Sequence, residues 1–318
     1  MKEAYFYTVE DGHVVCNLCP HNCRINEAKA GLCGVRRNGS GVLNSLVYGR
    51  PVCLNLDPIE KKPLYHFMPG TDVLSLGTVG CNMMCMHCQN YDIARGKPVD
   101  TEYFSPEQVV EIAESEGIGS IAYTYNEPTV FYEYMYDIAS LAKKKGIKNV
   151  IVSNGYINPQ PLKRLLPLLD GANIDLKSFS DDFYKRVCGA RLEPVLESLK
   201  ILRSTWLEAT TLVIPGENDS EDEMKKISGW IRENLGPDVP LHLSAFHPAY
   251  KMMDKEPTPR ETLNMAKRVA KEEGLNYVYL GNVMDNHNIY CPCGALVNDR
   301  SDRSHVCRCG REIPGVWS

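Results

Sequence analysis

The sequence predicts an α/β fold, a partial (β/α)6 TIM-like barrel with a cysteine-rich N-terminal segment and a small zinc-ribbon-like C-terminal tail. Three observations lead there. From about residue 71, short apolar runs alternate with longer segments of helical periodicity, and the rhythm persists to about residue 283. Repeated strand-helix units imply a parallel sheet with right-handed crossovers. No glycine-rich dinucleotide fingerprint follows any strand, and polar residues recur at the carboxyl end of nearly every one. In a barrel those ends converge on one mouth; an open doubly wound sheet is the competing arrangement. The expected division is residues 1–70 (cysteine-rich segment), 71–283 (barrel) and 284–318 (tail).

Each element follows from pattern and punctuation. Val73-Leu74-Ser75-Leu76-Gly77-Thr78-Val79 reads as a buried first strand. Ser105-Pro106-Glu107-Gln108 is a capping box with proline at the first helical position, opening a helix to about Gly117. The second strand is 120–125, followed by a helix over Val130 to Lys145 and a third strand at 149–152. A helix at 159–169 leads to a strand at 172–176, and a long helical segment from 181 to about 203 precedes a strand at 207–214. Ser220-Glu221-Asp222-Glu223 is a second capping box, for a helix to about Asn234, and 241–246 is the sixth strand. Thr258-Pro259-Arg260-Glu261 caps the last helix, and Tyr277-Val278-Tyr279-Leu280 adds a final strand.

Composition bounds the function. A hydrophobic content of 43% with 24% charged residues is that of a globular protein with a sizeable core. A net charge of -5 gives no electrostatic footprint for long nucleic acid, so an RNA substrate is disfavoured, though a local basic patch stays open. The start of the chain lacks a signal-peptide core and no apolar run reaches membrane-spanning length, so a cytoplasmic location without membrane attachment is expected.

Thirteen cysteines in such a chain argue for metal ligation rather than disulfides. They cluster at 16–33, 81–88 and 291–309, and Cys53 and Cys188 read as ordinary buried thiols. Cys81, Cys85 and Cys88 are spaced Cys-x3-Cys-x2-Cys directly after the first barrel strand. Three thiolates on a four-iron cluster leave one iron without a protein ligand, where chemistry can occur. The competing assignment, a structural zinc knuckle, wants four ligands in two pairs, and no fourth cysteine is near. Cys16, Cys19, Cys23 and Cys33 offer four ligands on two short loops, for a structural zinc or an auxiliary cluster, or remain unligated; His21 inside the loop reads as a bystander. The same segment mirrors the core spacing, but no strand precedes it and no βα unit follows, which argues against a catalytic centre there. Cys291, Cys293, Cys307 and Cys309 form two short turns that suggest a tetrathiolate zinc site, each turn one residue shorter than the usual Cys-x2-Cys. Four thiolates would close that site, which favours a structural role.

The core spacing closing a first barrel strand resembles the signature of the radical SAM superfamily, whose fold is also a partial (β/α)6 barrel. The resemblance implies a 4Fe-4S cluster on Cys81, Cys85 and Cys88, with S-adenosylmethionine (SAM) chelated at the open iron and cleaved reductively to a 5'-deoxyadenosyl radical. His87 stands where the family usually has an aromatic residue against the adenine; a planar imidazole could serve there or act as a fourth ligand. Tyr125-Asn126-Glu127-Pro128 occupies the place of the family's Gly-Gly-Glu motif, which makes Asn126 and Glu127 candidates for the methionyl ammonium. The alternative is a carboxylate that supports the next helix beside Pro128. Ser153-Asn154-Gly155 and Asp175-Leu176-Lys177 resemble turns of glycyl radical activating enzymes that hold the SAM carboxylate and ribose, partly through a cation. Val152 replaces an aspartate of that cation site, so only Ser153, Asn154, Asp175 and Lys177 are carried over, and a solvated Asp175–Lys177 pair is the simpler reading. His247, at the exit of the sixth strand, is a candidate SAM or substrate contact or a structural histidine.

Cys16-Asn17-Leu18-Cys19-Pro20-His21-Asn22-Cys23, Tyr-Asn-Glu-Pro, Thr211-Leu212-Val213-Ile214-Pro215-Gly216-Glu217-Asn218-Asp219 and Ile313-Pro314-Gly315-Val316-Trp317 together look like the radical SAM member of the AmmeMemoRadiSam system. That group is similar to pyruvate formate-lyase activating enzymes in its barrel. It implies Memo-like and AMMECR-like partners and a one-electron donor such as flavodoxin or ferredoxin. Three functions follow as expectations: hydrogen abstraction from an unidentified substrate, activation of a glycyl radical enzyme, or non-catalytic metal-binding assembly.

Overall fold

The computed structural model describes residues 2–98, 101–286, 288–299 and 304–317. The chain opens with six short strands, β1 (Lys2–Glu3), β2 (Tyr7–Glu10), β3 (His13–Cys16), β4 (Arg24–Ile25), β5 (Arg36–Gly39) and β6 (Val42–Ser45). They pair antiparallel in two three-stranded sheets, β1-β6-β5 and β2-β3-β4. Sequence reading found no strands here, because segments of two to four residues are too short to display a period.

The central sheet begins earlier than expected, with β7 (Cys53–Pro58) antiparallel to β8 (Asp72–Gly77). Then come α1 (Tyr91–Ala94), α2 (Pro106–Ser115), β9 (Ser120–Tyr123), α3 (Tyr132–Lys144), β10 (Lys148–Ser153), α4 (Pro159–Leu165) and β11 (Gly171–Asp175). The second half holds α5 (Asp181–Phe183), α6 (Leu192–Leu202), β12 (Trp206–Val213), α7 (Glu221–Asn234), β13 (Leu241–Ala245), α8 (Arg260–Glu272) and β14 (Val278–Gly281). The eight strands lie in chain order from β7 to β14, and every pair from β8 onward is parallel. Each crossover therefore moves one strand over in the same direction, which curls the sheet towards a barrel while β7 and β14 remain its two edges.

The Ser105 capping box forms in both directions. At Ser220 only half of the second one does: its hydroxyl accepts from Glu223 N, while the Glu223 carboxylate reaches across to Ser178 and Phe179. Thr258 is not the cap of α8; its hydroxyl donates to Val213 O and accepts from Phe246 N, lacing two strand ends together. The expected helix 181–203 is broken. After α5 the backbone widens into a π turn over Tyr184–Cys188, and Gly189 in the left-handed region (φ 63°) ends it before α6 starts. The helix begun at Pro159 tightens to a 3-10 turn at Leu166–Leu168, where Pro167 cannot donate to the ladder.

The base of the barrel is polar and filled. Glu208 of β12, fully buried, accepts from Tyr65 N, His66 N, the Trp206 indole and His242 Nε2 at 2.6–3.0 Å. Segment 63–68 thus plugs the sheet from within, and the tail docks on that plug: His66 Nδ1 meets Pro314 O at 2.8 Å, and Met68 N and Val316 N exchange bonds with Val316 O and His66 O. Among its described residues the tail carries one small hairpin, β15 (Ile289–Tyr290) with β16 (Leu296–Asn298).

Candidate active site

The carboxyl ends of all seven parallel strands open into one cavity of about 430 Å³. Cys81, Cys85 and Cys88 from the loop after β8 line it, with Asn126 and Glu127 after β9, Ser153 and Asn154 at the end of β10, and Asp175 and Lys177 at the end of β11. Thr210, Ser244 and Asn282 complete the wall from β12, β13 and β14. Apart from His247, every residue proposed from sequence for the cluster or for SAM is in this one cavity.

Local bonds explain why the cysteine loop sits where it does. Gly80 has φ 95°, and a Cβ there would stand 2.7 Å from Val35 and 2.8 Å from the Cys33 carbonyl, so only glycine lets the loop lie against the N-terminal segment. Asn126 braces the loop rather than pointing free, accepting from Thr78 N at 3.1 Å and donating to Gly80 O at 2.7 Å. Arg95 donates to the Cys81 and Met83 carbonyls, and Met84 N and Met86 N donate to Cys188 O and Val187 O of the π turn. The Asn154 amide lies 3.7 Å from Cys81 Sγ and 2.9 Å from Asn82 Oδ1.

Glu127 is buried and its carboxylate is well supplied: Oε1 accepts from Thr129 N (2.9 Å) and Ser153 Oγ (2.8 Å), and Oε2 from Asn154 N (2.8 Å). Burial nevertheless raises its pKa, against the pull of those donors. It caps the 3-10 turn that precedes α3, as the supporting-carboxylate alternative expected, and Oε2 retains capacity for another donor. Asp175 and Lys177 pair at 2.7 Å. Burial opposes the Lys177 charge, but the carboxylate of Asp175, then Cys85 and Cys188, outweigh it and hold the lysine pKa well above its usual value.

His247 is not brought in. Phe246 turns into the core and the alternation sends His247 to the exposed side, where Nε2 is 3.4 Å from Asn282 O. Asp57, Lys62 and Tyr125 form a further, linked part of the wall that was not among the candidate site residues. Lys62 Nζ and the Tyr125 hydroxyl both bond Asp57 Oδ2, at 2.8 and 2.5 Å, and the ammonium sits 4.4 Å from the tyrosine ring. Although burial would raise the Asp57 pKa, these partners hold it well below the usual range. Tyr125 pays in backbone strain, with φ 68°.

Cys188, which reads from sequence as an ordinary buried thiol, is buried in the core. Its sulfur, that of Cys85 and a ring nitrogen of His87 lie within 4.8 Å of one another. His87 is buried with Nδ1 unpartnered, and burial, then Lys177, lower its pKa to about 3, so the ring that lines the cavity is neutral. Burial raises the thiol pKa values of Cys81 and Cys88; for Cys85 the contact with Cys188 leads and burial adds. A metal bound by these thiols would have to displace those protons.

The donor chemistry fits an iron-sulfur cluster. Among the described residues, the groups whose donor atoms lie within 4.8 Å of one another are Cys85, His87 and Cys188, and Cys291, Cys293, Cys307 and Cys309. Cys81, Cys85 and Cys88 are not drawn together as one ion would require, in keeping with each thiolate taking its own iron. The C-terminal quartet is compact, with Sγ pairs at 3.7 and 3.6 Å, close to the edge of about 3.8 Å for a tetrahedron of 2.3 Å zinc–sulfur bonds. Cys16, Cys19, Cys23 and Cys33 line a second, much smaller cavity beside Asn82.

Among the described residues no helix is long and apolar enough to cross a membrane. The sequence profile of the Radical SAM superfamily matches residues 75–227. An uncharacterized protein from Methanocaldococcus jannaschii is 48% identical over 308 residues, which span 94% of this chain and 92% of that protein. The pyruvate formate-lyase 1-activating enzyme of Escherichia coli K12 is 24% identical over 217 residues, 61% of this chain and 87% of the enzyme. In fold, a radical SAM methyltransferase from Sphaerobacter thermophilus superposes with a TM-score of 0.52 at 14% identity, over 72% of this chain and 71% of that one. With its cysteine loop at the mouth of a curled parallel sheet, the chain belongs to the radical SAM superfamily.

Proposed function

We propose that this chain binds a 4Fe-4S cluster through Cys81, Cys85 and Cys88, cleaves SAM reductively at it, and uses the resulting 5'-deoxyadenosyl radical to abstract hydrogen from a substrate. The observation that carries the reading is the sharing of one cavity by the three thiols and the polar ends of seven parallel strands. The cluster, when bound, supplies the electron and the open coordination site. The chain's own residues bind and orient. Glu127 Oε2 and Asn154 would take the ammonium and carboxylate of the methionyl group, with Ser153 holding Glu127 in place. The Asp175–Lys177 pair flanks the ribose or substrate, and neutral His87 offers a flat face to the adenine. A one-electron donor of the flavodoxin or ferredoxin type completes the system. The compact C-terminal quartet holds a structural zinc.

Anaerobic reconstitution tests the reading. The expected result is a reduced-cluster electron paramagnetic resonance signal that changes on adding SAM, with 5'-deoxyadenosine formed. Product formation unaffected by Cys81→Ala, Cys85→Ala and Cys88→Ala together would sink it, and so would failure to form any cluster or product, which would favour a non-catalytic metal-binding assembly protein.

Similarity to the activating enzyme supports a second reading, an activase that abstracts hydrogen from a glycine of a partner protein. A glycyl radical signal appearing in a co-purified protein would select it. The sequence motifs shared with the AmmeMemoRadiSam group make Memo-like and AMMECR-like proteins the first partners to try by co-purification.

A further inference from the structure

We propose that Cys16, Cys19, Cys23 and Cys33 bind a second iron-sulfur cluster of the four-iron, four-sulfide class, and that this cluster buttresses the catalytic loop. All four thiols line one small cavity of about 20 Å³ whose other walls include Leu18, Ile25, Leu32 and Val130. They are not drawn together within 4.8 Å, whereas the C-terminal four are. A single zinc pulls its thiolates to the shorter spacing, and a cubane, with one iron per thiolate, keeps them apart.

The wall carries a second mark of an anionic occupant. Arg36 lines the cavity, is 2% exposed, and its Nε has no partner, while its terminal nitrogens are spent on Glu133 and Tyr5 O. A buried guanidinium N–H without an acceptor is costly, and a cluster carrying four thiolates supplies negative charge beside it. Four protein thiolates leave no open iron, so this site is not a second place for SAM.

The two sites touch through the chain itself. The Cys33 carbonyl and Val35 press on Gly80, and His21 Nε2 lies 2.7 Å from Asn82 O, one residue on either side of Cys81. An occupied N-terminal site therefore holds the loop that presents Cys81.

The test counts iron and does not depend on SAM chemistry. The full chain carrying Cys81→Ala, Cys85→Ala and Cys88→Ala is reconstituted anaerobically with ferrous iron and sulfide in the presence of zinc. About four irons and four sulfides per chain should remain, with the Mössbauer signature of a cubane, and be lost on adding Cys19→Ala and Cys23→Ala. Iron bound singly by the C-terminal quartet is told apart by its mononuclear signal. Zinc in the N-terminal site, or no sulfide retained, overturns the proposal. Should the variants fail to fold, the unaltered chain decides: about eight irons as two cubanes supports it and four overturns it. A chain with both clusters that does not cleave SAM would keep this inference and sink the proposed function; cleavage with one cluster would do the reverse.

Discussion

Glu127 shows how one side chain can serve both the fold and the site. Three donors, Thr129 N, Ser153 Oγ and Asn154 N, converge on a buried carboxylate, and two of those residues belong to β10 or its exit. Glu127→Ala leaves all three without an acceptor. At about 1–3 kcal/mol for each unsatisfied buried group, with partial relief by water, we expect a loss of about 3 kcal/mol in urea unfolding. Glu127→Gln keeps the shape but loses an acceptor, and should cost about half as much. A loss below about 1 kcal/mol in the alanine variant would mean that the carboxylate is not a structural tie. What sequence makes legible at this scale is local. Cys81, Cys85 and Cys88 announce themselves because their spacing lies in one loop, and Glu127, Asn154 and Asp175 because each ends a readable strand. The approach of Cys188 to Cys85 was hidden because it depends on a π turn far along the chain, which no helical periodicity announces. Which alternative His247 takes, cavity contact or structural histidine, was not legible, because the direction of a side chain after a strand end depends on where the strand stops.

Between elements, the decisive tie is the ion pair of Arg36 on β5 with Glu133 on α3. The guanidinium reaches both carboxylate oxygens at 3.0 and 2.9 Å, with side chains 2% and 0% exposed, while Tyr5 N donates to the same carboxylate at 2.7 Å. It fastens the cysteine-rich segment to the barrel. Arg36→Met strands a buried carboxylate and should cost about 3–5 kcal/mol, measured by chemical denaturation. The double variant Arg36→Met, Glu133→Leu should recover most of that loss, because neither charge then lacks a partner. Equal losses in the single and double variants would show that packing, not charge pairing, carries the contact. This pair could not be read from sequence, since nothing local to Arg36 points 97 residues onward. Helix starts were legible where a cap is a sequence-local bond, as at Ser105. At Thr258 the same residue type was drawn away by Val213 O and Phe246 N, a tertiary override of a local signal.

Across the whole molecule, the strand order was readable because repeated βα units leave few topologies, but the base of the barrel was not. Segment 63–68 and residues 313–317 lie far apart in sequence, and only the folded sheet sets His66 between Glu208, Trp206, Tyr277, Tyr279 and the tail. His66 is fully buried: one ring nitrogen, Nδ1, meets Pro314 O at 2.8 Å, and the other, Nε2, meets the Tyr279 hydroxyl at 2.5 Å. Burial away from water disfavours the charged ring. Burial, chiefly, lowers its pKa below 6.5, despite the attraction of Glu208. The unfolded chain therefore takes up the proton first as pH falls, and stability contributed by the neutral ring is complete above about pH 6.5 and lost below it. Glu208 has the same sign at lower pH: burial opposes its charge, but His242 overcomes that and holds the pKa below 4.5, so its contribution fades only under more acidic conditions. We expect the urea midpoint to fall between pH 7.5 and 5.5, with Trp317 beside His66 reporting release of the tail. His66→Phe should be less stable at pH 7.5, yet show a flatter dependence over that window, because the docking group no longer titrates. The other histidines titrate in both proteins, so the difference in slope is the quantity that isolates His66. Parallel slopes would mean that the tail is held at all pH values by Phe67, Met68 and Val316 alone.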